Sequence, residues 1–265
     1  MLKASAVWHD LQQIRLESPL VHNITNYVAM NTTANALLAV GASPVMAHAI
    51  EEVEEMAALA RAVVLNLGTL SPPWIDAMVK AGMKAKQLGR PVILDPVGCG
   101  ATRFRTTSAK RLLLEVSPSI IRGNASEIMS LVQADGAPKG VDSTHGSEDG
   151  LKAAKILAER YHCVVTVSGA VDLVVGQGGL ARISNGHPLM PKVTGLGCTA
   201  TALTGAFAAV NPSLTAAAAH AMAVMGIAGE LAAERSPGPG SFQVHFLDAL
   251  HQLQEADVVQ RLRAS

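Results

Sequence analysis

Through the first half of the chain, short apolar runs that end in a polar or glycine-rich turn alternate with helical segments. The runs are PLVHNIT (19–25), SPVMAHA (43–49), AVVLNLG (62–68), PVILDPVG (91–98) and SIIRGNASE (119–127). Between them, EEVEEMAALARA, PPWIDAMVKAGMKAKQLG and TTSAKRLLLEVS carry the spacing of amphipathic helices. Strands that are apolar at successive positions, each followed by a helix, pair in parallel and are covered on both faces. After Gly150 come a helix (LKAAKILAERY), a strand (HCVVTVSG) and β-like pieces at VDLVVGQ and LARISNG. From Gly195 onward the pattern is almost purely helical. Asp135 to Gly150 reads as a loop, and no linker, repeat or shift in composition divides the chain. The expectation is one α/β domain over residues 1–265.

Composition restricts the partners such a domain can take. With 21 Lys+Arg against 21 Asp+Glu and only 3% aromatics, the chain has no basic field for a phosphate backbone and few platforms for stacked bases. No nucleic-acid partner is expected. Charged residues are 16%, against about 25% in ordinary globular domains, which leaves apolar surface to bury between subunits. The three cysteines, Cys99, Cys163 and Cys198, are widely spaced without a CxxC pair, so neither a disulfide framework nor a cysteine zinc site is expected. The first residues, MLKASAVWHDLQQIRLES, form an amphipathic stretch rather than a secretory leader. Leu214 to Ala233 is Ala-rich and carries His220 and Glu230, which fits a helix buried in protein better than a membrane span. A cytoplasmic protein with no membrane partner is the reading.

Open α/β sheets bind ligands outside the carboxyl ends of their strands. The polar residues that close the strands are therefore the candidates: Asn23 to Asn26, Met46, Asn66 to Thr69, Asp95, Arg122 to Asn124, and Ser168-Gly169. Thr25, Ser71 and Asn124 also stand where a residue would cap the following helix. No GxxxxGK[ST] is present, so a P-loop is absent. Gly195-Leu196-Gly197-Cys198-Thr199-Ala200 matches G-x-G-x-x-A, but it precedes helices rather than opening a βαβ unit. Its physical content is more general: two glycines allow close approach of a ligand, and the first N–H groups of the following helix form an anion site. The backbone of Gly195, Leu196, Gly197 and Cys198 would then face a phosphoryl group. Asp95 closes its strand just before Pro96, and Asn124 with Glu127 opens a neighbouring helix. Two carboxylates so placed suit Mg²⁺ beside nucleotide phosphates, while Glu127 also suits a capping arrangement with Asn124.

Several of these segments together resemble one family. HNITNYVAMNTTANALLAVGASPVM, LNLGTL, LDPVGCGATRFR, IRGNASEI, KVTGLGC and GPGSF are similar to hydroxyethylthiazole kinases, in the same order and from about Ser18 to beyond Phe242. The resemblance implies a ribokinase-like fold, a three-layer α/β/α sandwich with a mostly parallel central sheet. It implies homotrimers with active sites at subunit interfaces, and ATP- and Mg²⁺-dependent phosphorylation of a thiazole alcohol in thiamine salvage. By position, Asn26, Met46 and Gly195 would bind the thiazole, Arg122 and Ser168 would bind ATP, and Asp95 and Glu127 would stand near Mg²⁺. Ser168 replaces a more usual Thr and keeps the hydroxyl.

Cys198 departs from the aspartate that ribokinase-like sugar kinases place here as base. A thiol lowered by a helix N-terminus would assist proton removal, with the Gly195 to Cys198 backbone supplying the larger electrostatic effect. Cys163 and Cys99 read as a core residue and a spectator, His22 as a structural hydrogen-bonder, and Met190, Met222 and Met225 as core or interface filler. The alternatives are a hydroxymethylpyrimidine or pyridoxal kinase of the same fold, a dinucleotide-dependent oxidoreductase, and a non-catalytic relative.

Overall fold

A computed structural model describes residues 2–134 and 146–265. The alternation becomes a sheet of eight strands: β1 (Leu20–Ile24), β2 (Ser43–Val45), β3 (Ala62–Asn66), β4 (Val92–Asp95), β5 (Ile120–Asn124), β6 (Val164–Ser168), β7 (Asp172–Gly176) and β8 (Gly179–Ile183). Their spatial order is β2-β1-β3-β4-β5-β6-β7-β8. Pairing is parallel from β2 to β6 and antiparallel across β6, β7 and β8.

Consecutive apolar residues on a strand point to opposite faces. Val64, Ile93 and Ile120 therefore pack beneath α1 (Ala4–Glu17), α2 (Met30–Val40), α8 (Leu196–Val210), α9 (Leu214–Glu234), α10 (Pro239–Gln252) and α11 (Glu255–Arg261). Their neighbours Val63, Leu65, Leu94 and Ile121 pack on the opposite face. That face is covered by α3 (Val53–Leu59), α4 (Pro72–Gln87), α5 (Arg103–Val116), α6 (Ala125–Ala134) and α7 (Gly146–Tyr161). Two cores on one sheet make the expected three-layer α/β/α sandwich.

The loop expected up to Gly150 is shorter than its composition suggests. α7 begins at Gly146, with Glu148 and Asp149 in its first turn, where carboxylates interact well with the helix dipole. The rest of that expected loop, 135–145, lies outside the described residues. Two expected caps are also absent. Ser71 occupies the N-cap of α4 without a side-chain bond, and Thr25 stands well before α2, whose entry turn is held by Asn26 instead. α9 is long and apolar enough to cross a membrane by length and composition, yet Ala217 to Gly229 are all buried within the protein.

The strand order reverses between β1 and β3, since β2 lies to one side of β1 and all later strands to the other. At such a reversal the connecting segments leave in opposite directions and open a crevice at the carboxyl ends. α8 lies across this point, packed on β1, β3 and β4. Gly205 lets it lie close: a Cβ there would come within 2.7 Å of Val64 and 3.2 Å of Val21. The small residues of α8, an unhelpful mix for a surface helix, set its N-terminus over the crevice.

Candidate active site

Gly195 is the N-cap of α8 with φ +84°, a left-handed conformation that glycine adopts without strain. Thr199 N–H donates to Gly195 O at 2.8 Å as the first intrahelical bond, and no side chain caps the turn. The N–H groups of Leu196, Gly197 and Cys198 thus lack intrahelical acceptors and carry the positive end of the helix dipole.

A hydrogen-bonded chain runs through the buried side chains beneath this turn. Asn26 Nδ2 donates to Cys198 Sγ (3.2 Å) and to Asn66 Oδ1 (2.8 Å). Asn66 Nδ2 donates to Asp95 Oδ2 (2.7 Å), which also accepts from Thr201 Oγ1 (2.7 Å). Asp95 Oδ1 is buried with no partner. Burial pushes the Asp95 carboxyl up to about 6, against the pull of Arg122, Thr201 and Asn66. Asn26 and Asn66 close the two strands at the reversal, so the crevice itself brings them together.

Arg122, near the end of β5, is buried and its Nε has no partner. Its guanidinium lies against the first turn of α8, since a Cβ on Gly197 would sit 3.1 Å from Arg122 Nη1. Glu127 is nearly buried, and each of its carboxylate oxygens accepts one backbone bond. Its Oε1 accepts from Gly98 N–H (2.9 Å) and its Oε2 from Asn124 N–H (2.8 Å), while Asn124 Oδ1 accepts from Glu127 N–H (3.0 Å). That reciprocal pair is the capping arrangement expected of Asn124 and Glu127.

A cavity of about 820 Å³ opens beside Arg122, Ser168 and the Gly195 to Gly197 turn. Asn26, Met46 and Cys198 do not line it. The first turn of α8 therefore touches two groups of residues: Arg122 and Ser168 with the cavity, and Asn26 bonded to Cys198 Sγ outside it. Met46 stands beyond the end of β2, in a segment fastened by the bond of His22 Nε2 to Ala47 O (2.7 Å). His22 is the structural hydrogen-bonder the sequence suggests.

The expected lowering of the Cys198 thiol does not occur. Burial, with the Asp95 carboxylate beside it, pushes the thiol up and outweighs the bond from Asn26. Cys99 and Cys163 are buried and pushed up to about 11 and about 12, in keeping with inert residues. Met222 and Met225 are core residues with Met190 packed against that core, as expected, and all three also line the large cavity. The spacing of Met222 and Met225 on α9 is the same whether they face protein or a cavity. Thr201 was hidden likewise in a small-residue helix, although it lies one turn beyond Gly197.

Arg105 also escaped attention in the GATRFR segment. Its Nη1 donates to Leu67 O (2.7 Å) and Val97 O (2.8 Å), and its Nη2 to Gly68 O (2.7 Å). It ties the loops that follow Asn66 and Asp95, so the two strand ends hold a common geometry.

Comparison with known proteins decides the family. The model of the hydroxyethylthiazole kinase family matches residues 11–256. The chain belongs to the hydroxyethylthiazole kinase family. It is 60% identical over 257 residues to the hydroxyethylthiazole kinase of Syntrophus aciditrophicus, covering 97% of this chain and 95% of that one. Identity to the hydroxyethylthiazole kinase of Leptospira biflexa is 56% over 255 residues, 96% of each. Among solved structures, a hydroxyethylthiazole kinase protein from Pyrococcus horikoshii OT3 superposes with a TM-score of 0.91 at 44% identity, over 98% of both chains. A ribokinase-like superfamily protein from Enterococcus faecalis, 14% identical, has a TM-score of 0.67 over 98% of this chain and 96% of its own, and shares the fold. For this hydroxyethylthiazole kinase family member, the G-x-G-x-x-A segment opens α8 and leads to α9, so it is not the turn of a βαβ unit.

Proposed function

We propose that this protein transfers the γ-phosphoryl group of ATP to the primary alcohol of 4-methyl-5-(2-hydroxyethyl)thiazole, supplying thiazole phosphate in thiamine salvage. It would do so in the cytoplasm, as a single domain over residues 1–265. The observation that carries the reading is the convergence of two groups of residues on the first turn of α8. One side offers a cavity of about 820 Å³ with a buried arginine, within the size range of small-molecule sites. The other offers Asn26 and Cys198, in a chain belonging to the hydroxyethylthiazole kinase family.

ATP would lie in the cavity with its phosphates toward Arg122, Ser168 and the backbone of Gly195, Leu196, Gly197 and Cys198. The thiazole would lie against Asn26, Met46 and Gly195, its hydroxyl beside Cys198. Phosphoryl transfer passes through a loose transition state with charge on the equatorial oxygens, so fixed N–H groups and a guanidinium supply most of the rate.

Mg²⁺ fits this site as an ion held chiefly by phosphates and water. No group of three His, Cys, Asp or Glu side chains converges among the described residues, but Asp95 Oδ1 is a buried acceptor with no donor. Asp95 and Glu127 would hold the ion's waters. When bound, the ion neutralises charge on the triphosphate.

A second copy of the chain would complete the side holding Asn26. Tyr27 and Val28, next in sequence, are 66% and 61% exposed, and Val244 on the adjacent α10 is 60% exposed. These apolar residues support a homotrimer in which a second copy closes the thiazole site.

Purified protein with Mg·ATP should release ADP with the thiazole alcohol, and at least 100-fold more slowly with hydroxymethylpyrimidine or pyridoxal. Equal or faster turnover of either competitor would transfer the assignment to that substrate.

Cys198 enters this reaction as a neutral thiol. It accepts from Asn26 and positions the alcohol, whose proton passes late to an oxygen of the transferred phosphoryl group because the transition state demands little base strength. Turnover should therefore stay level from pH 7 to 8.5, and Cys198→Ser should remain within about tenfold of the parent, below the usual 10²–10⁴ effect of a general base. A wild-type rate that climbs tenfold per pH unit, with Cys198→Ala abolishing the climb, would make the thiolate the base.

A further inference from the structure

The far end of the large cavity differs in kind from the end at Arg122. Toward the carboxyl edge of the sheet, Arg122 stands on β5 two residues before its end, while the segment after β8 lies three strands away, about 14 Å at the usual spacing of neighbouring strands. That segment and α9, which meet where Gly229 faces Met190 and Gly226 faces Asn185, line the cavity with Pro188, Met190, Pro191, Met222 and Met225. With the phosphates at Arg122, the nucleobase falls among these apolar side chains.

Hydrogen-bond donors are nearly exhausted there. Gly186 N–H donates to Glu230 Oε1 (2.9 Å), His187 N–H to Met190 Sδ (3.4 Å) and Leu189 N–H to His187 Nδ1 (3.2 Å). Met190, Lys192 and Val193 N–H donate to His187 O, Leu189 O and Met190 O. Positions 188 and 191 are prolines without an N–H. From Gly186 to Val193, every backbone donor is either used within the protein or missing.

Asn185, which also lines the cavity, is occupied at both ends of its amide. Its Nδ2 donates to Glu230 Oε1 (3.0 Å) and Arg261 O (2.7 Å), and its Oδ1 accepts from Arg263 N–H (2.8 Å). The amide holds the β8 exit to the C-terminal segment and has nothing left for a base. His187 and Thr194 are exposed, and Asp172, within reach of the Arg122 charge, accepts from Gly169 N–H (3.0 Å) at the phosphate end.

The geometry points to a nucleotide site that reads the triphosphate and accepts the base with little discrimination. GTP and the pyrimidine nucleoside triphosphates are donors for this enzyme as well as ATP. A site built to hydrogen-bond a particular edge rejects the wrong one by 10⁴–10⁵, because its own buried groups are left unpaired. An apolar slot has no such groups to strand, and methionine side chains adapt to different ring shapes. Only the base's own polar atoms lose partners, a cost of about tenfold to 100-fold.

This inference rests on the kinase reading above, and two measurements keep the two separable. Steady-state phosphorylation of the thiazole alcohol with Mg·ATP, Mg·GTP and Mg·CTP should give kcat/KM values within 100-fold of one another. Activity with ATP and a larger deficit for both others overturns the base-tolerance proposal and leaves the kinase reading intact. Competition between non-hydrolysable ATP and GTP analogues reads the same ratio by binding alone. If no nucleotide supports turnover, the kinase reading fails, and analogue affinities within 100-fold still uphold base tolerance while a wider gap overturns it.

Discussion

Asp95→Asn is expected to cut kcat by roughly 100- to 1,000-fold, the usual effect of removing one preorganised electrostatic group, while the protein melts at the same temperature or higher. The carboxylate is buried, with Asn66 and Thr201 donating to one oxygen and nothing to the other. Asparagine can present its oxygen to the same two donors and place its amide where the unpartnered oxygen stood. The change trades a buried charge for an amide N–H₂ without a partner, a smaller cost than the charge.

The direction of the stability effect follows from linkage. The folded-state pKa of Asp95 is about 6, above the ordinary 3.8, so the folded form holds this proton more tightly than the unfolded one. Between about pH 4 and pH 6, this group's contribution to stability falls as pH rises, and above pH 6 it is a constant burden on the order of 3 kcal/mol. Asparagine lifts that burden. Catalysis runs the other way: wild-type kcat/KM should drop about tenfold per pH unit below 6, as the carboxylate is protonated. Calorimetry at pH 7.5 with an ADP-release assay tests both halves. Near wild-type turnover would remove Asp95 from the reaction, and a large fall in melting temperature would make its role structural.

Arg122→Ala should lower kcat/KM by about 1,000-fold or more, the scale on which a cation at a transferring phosphoryl group acts. The guanidinium is buried, its Nε lacks a partner, and it lies against Gly197 in the anion-binding turn. A triphosphate supplies what it lacks. Arg122→Lys should recover only a small part, because an ammonium keeps the charge but not the planar fork. Retention of more than a tenth of the activity in Arg122→Lys would argue for a simple screening role. Isothermal titration with a non-hydrolysable ATP analogue would show whether the loss lies in binding or in turnover.

Much of this was legible in local pattern. Apolar runs closed by polar residues marked the strands and their functional ends, so Asp95 and Ser168 are strand terminators and Arg122 lies two residues before the end of β5. The glycines at 195 and 197 marked a helix start open to an anion. The Asn124 and Glu127 spacing marked a capping pair, which the structure bears out. The illegible part lies in contacts between distant segments. Thr201 meets Asp95 across 106 positions, and Asn26 meets Cys198 across 172. Arg105 binds three carbonyls, and no side-chain pattern shows which backbone oxygens will be free. The methionines of α9 have core periodicity whether they face protein or a cavity.

The amino-acid sequence by itself determined the alternating architecture, the parallel sheet and the candidate residues. Those depend on side-chain period, turn chemistry and helix polarity, all set within a few neighbouring residues. Only the tertiary structure decided the state of those residues. A thiol at a helix N-terminus is expected to be acidic, yet Cys198 is pushed up by burial and by the Asp95 carboxylate beside it, against the bond from Asn26. An aspartate ordinarily titrates near 3.8, yet burial carries Asp95 up to about 6. Desolvation is a property of everything packed around a group, and no stretch of sequence contains it.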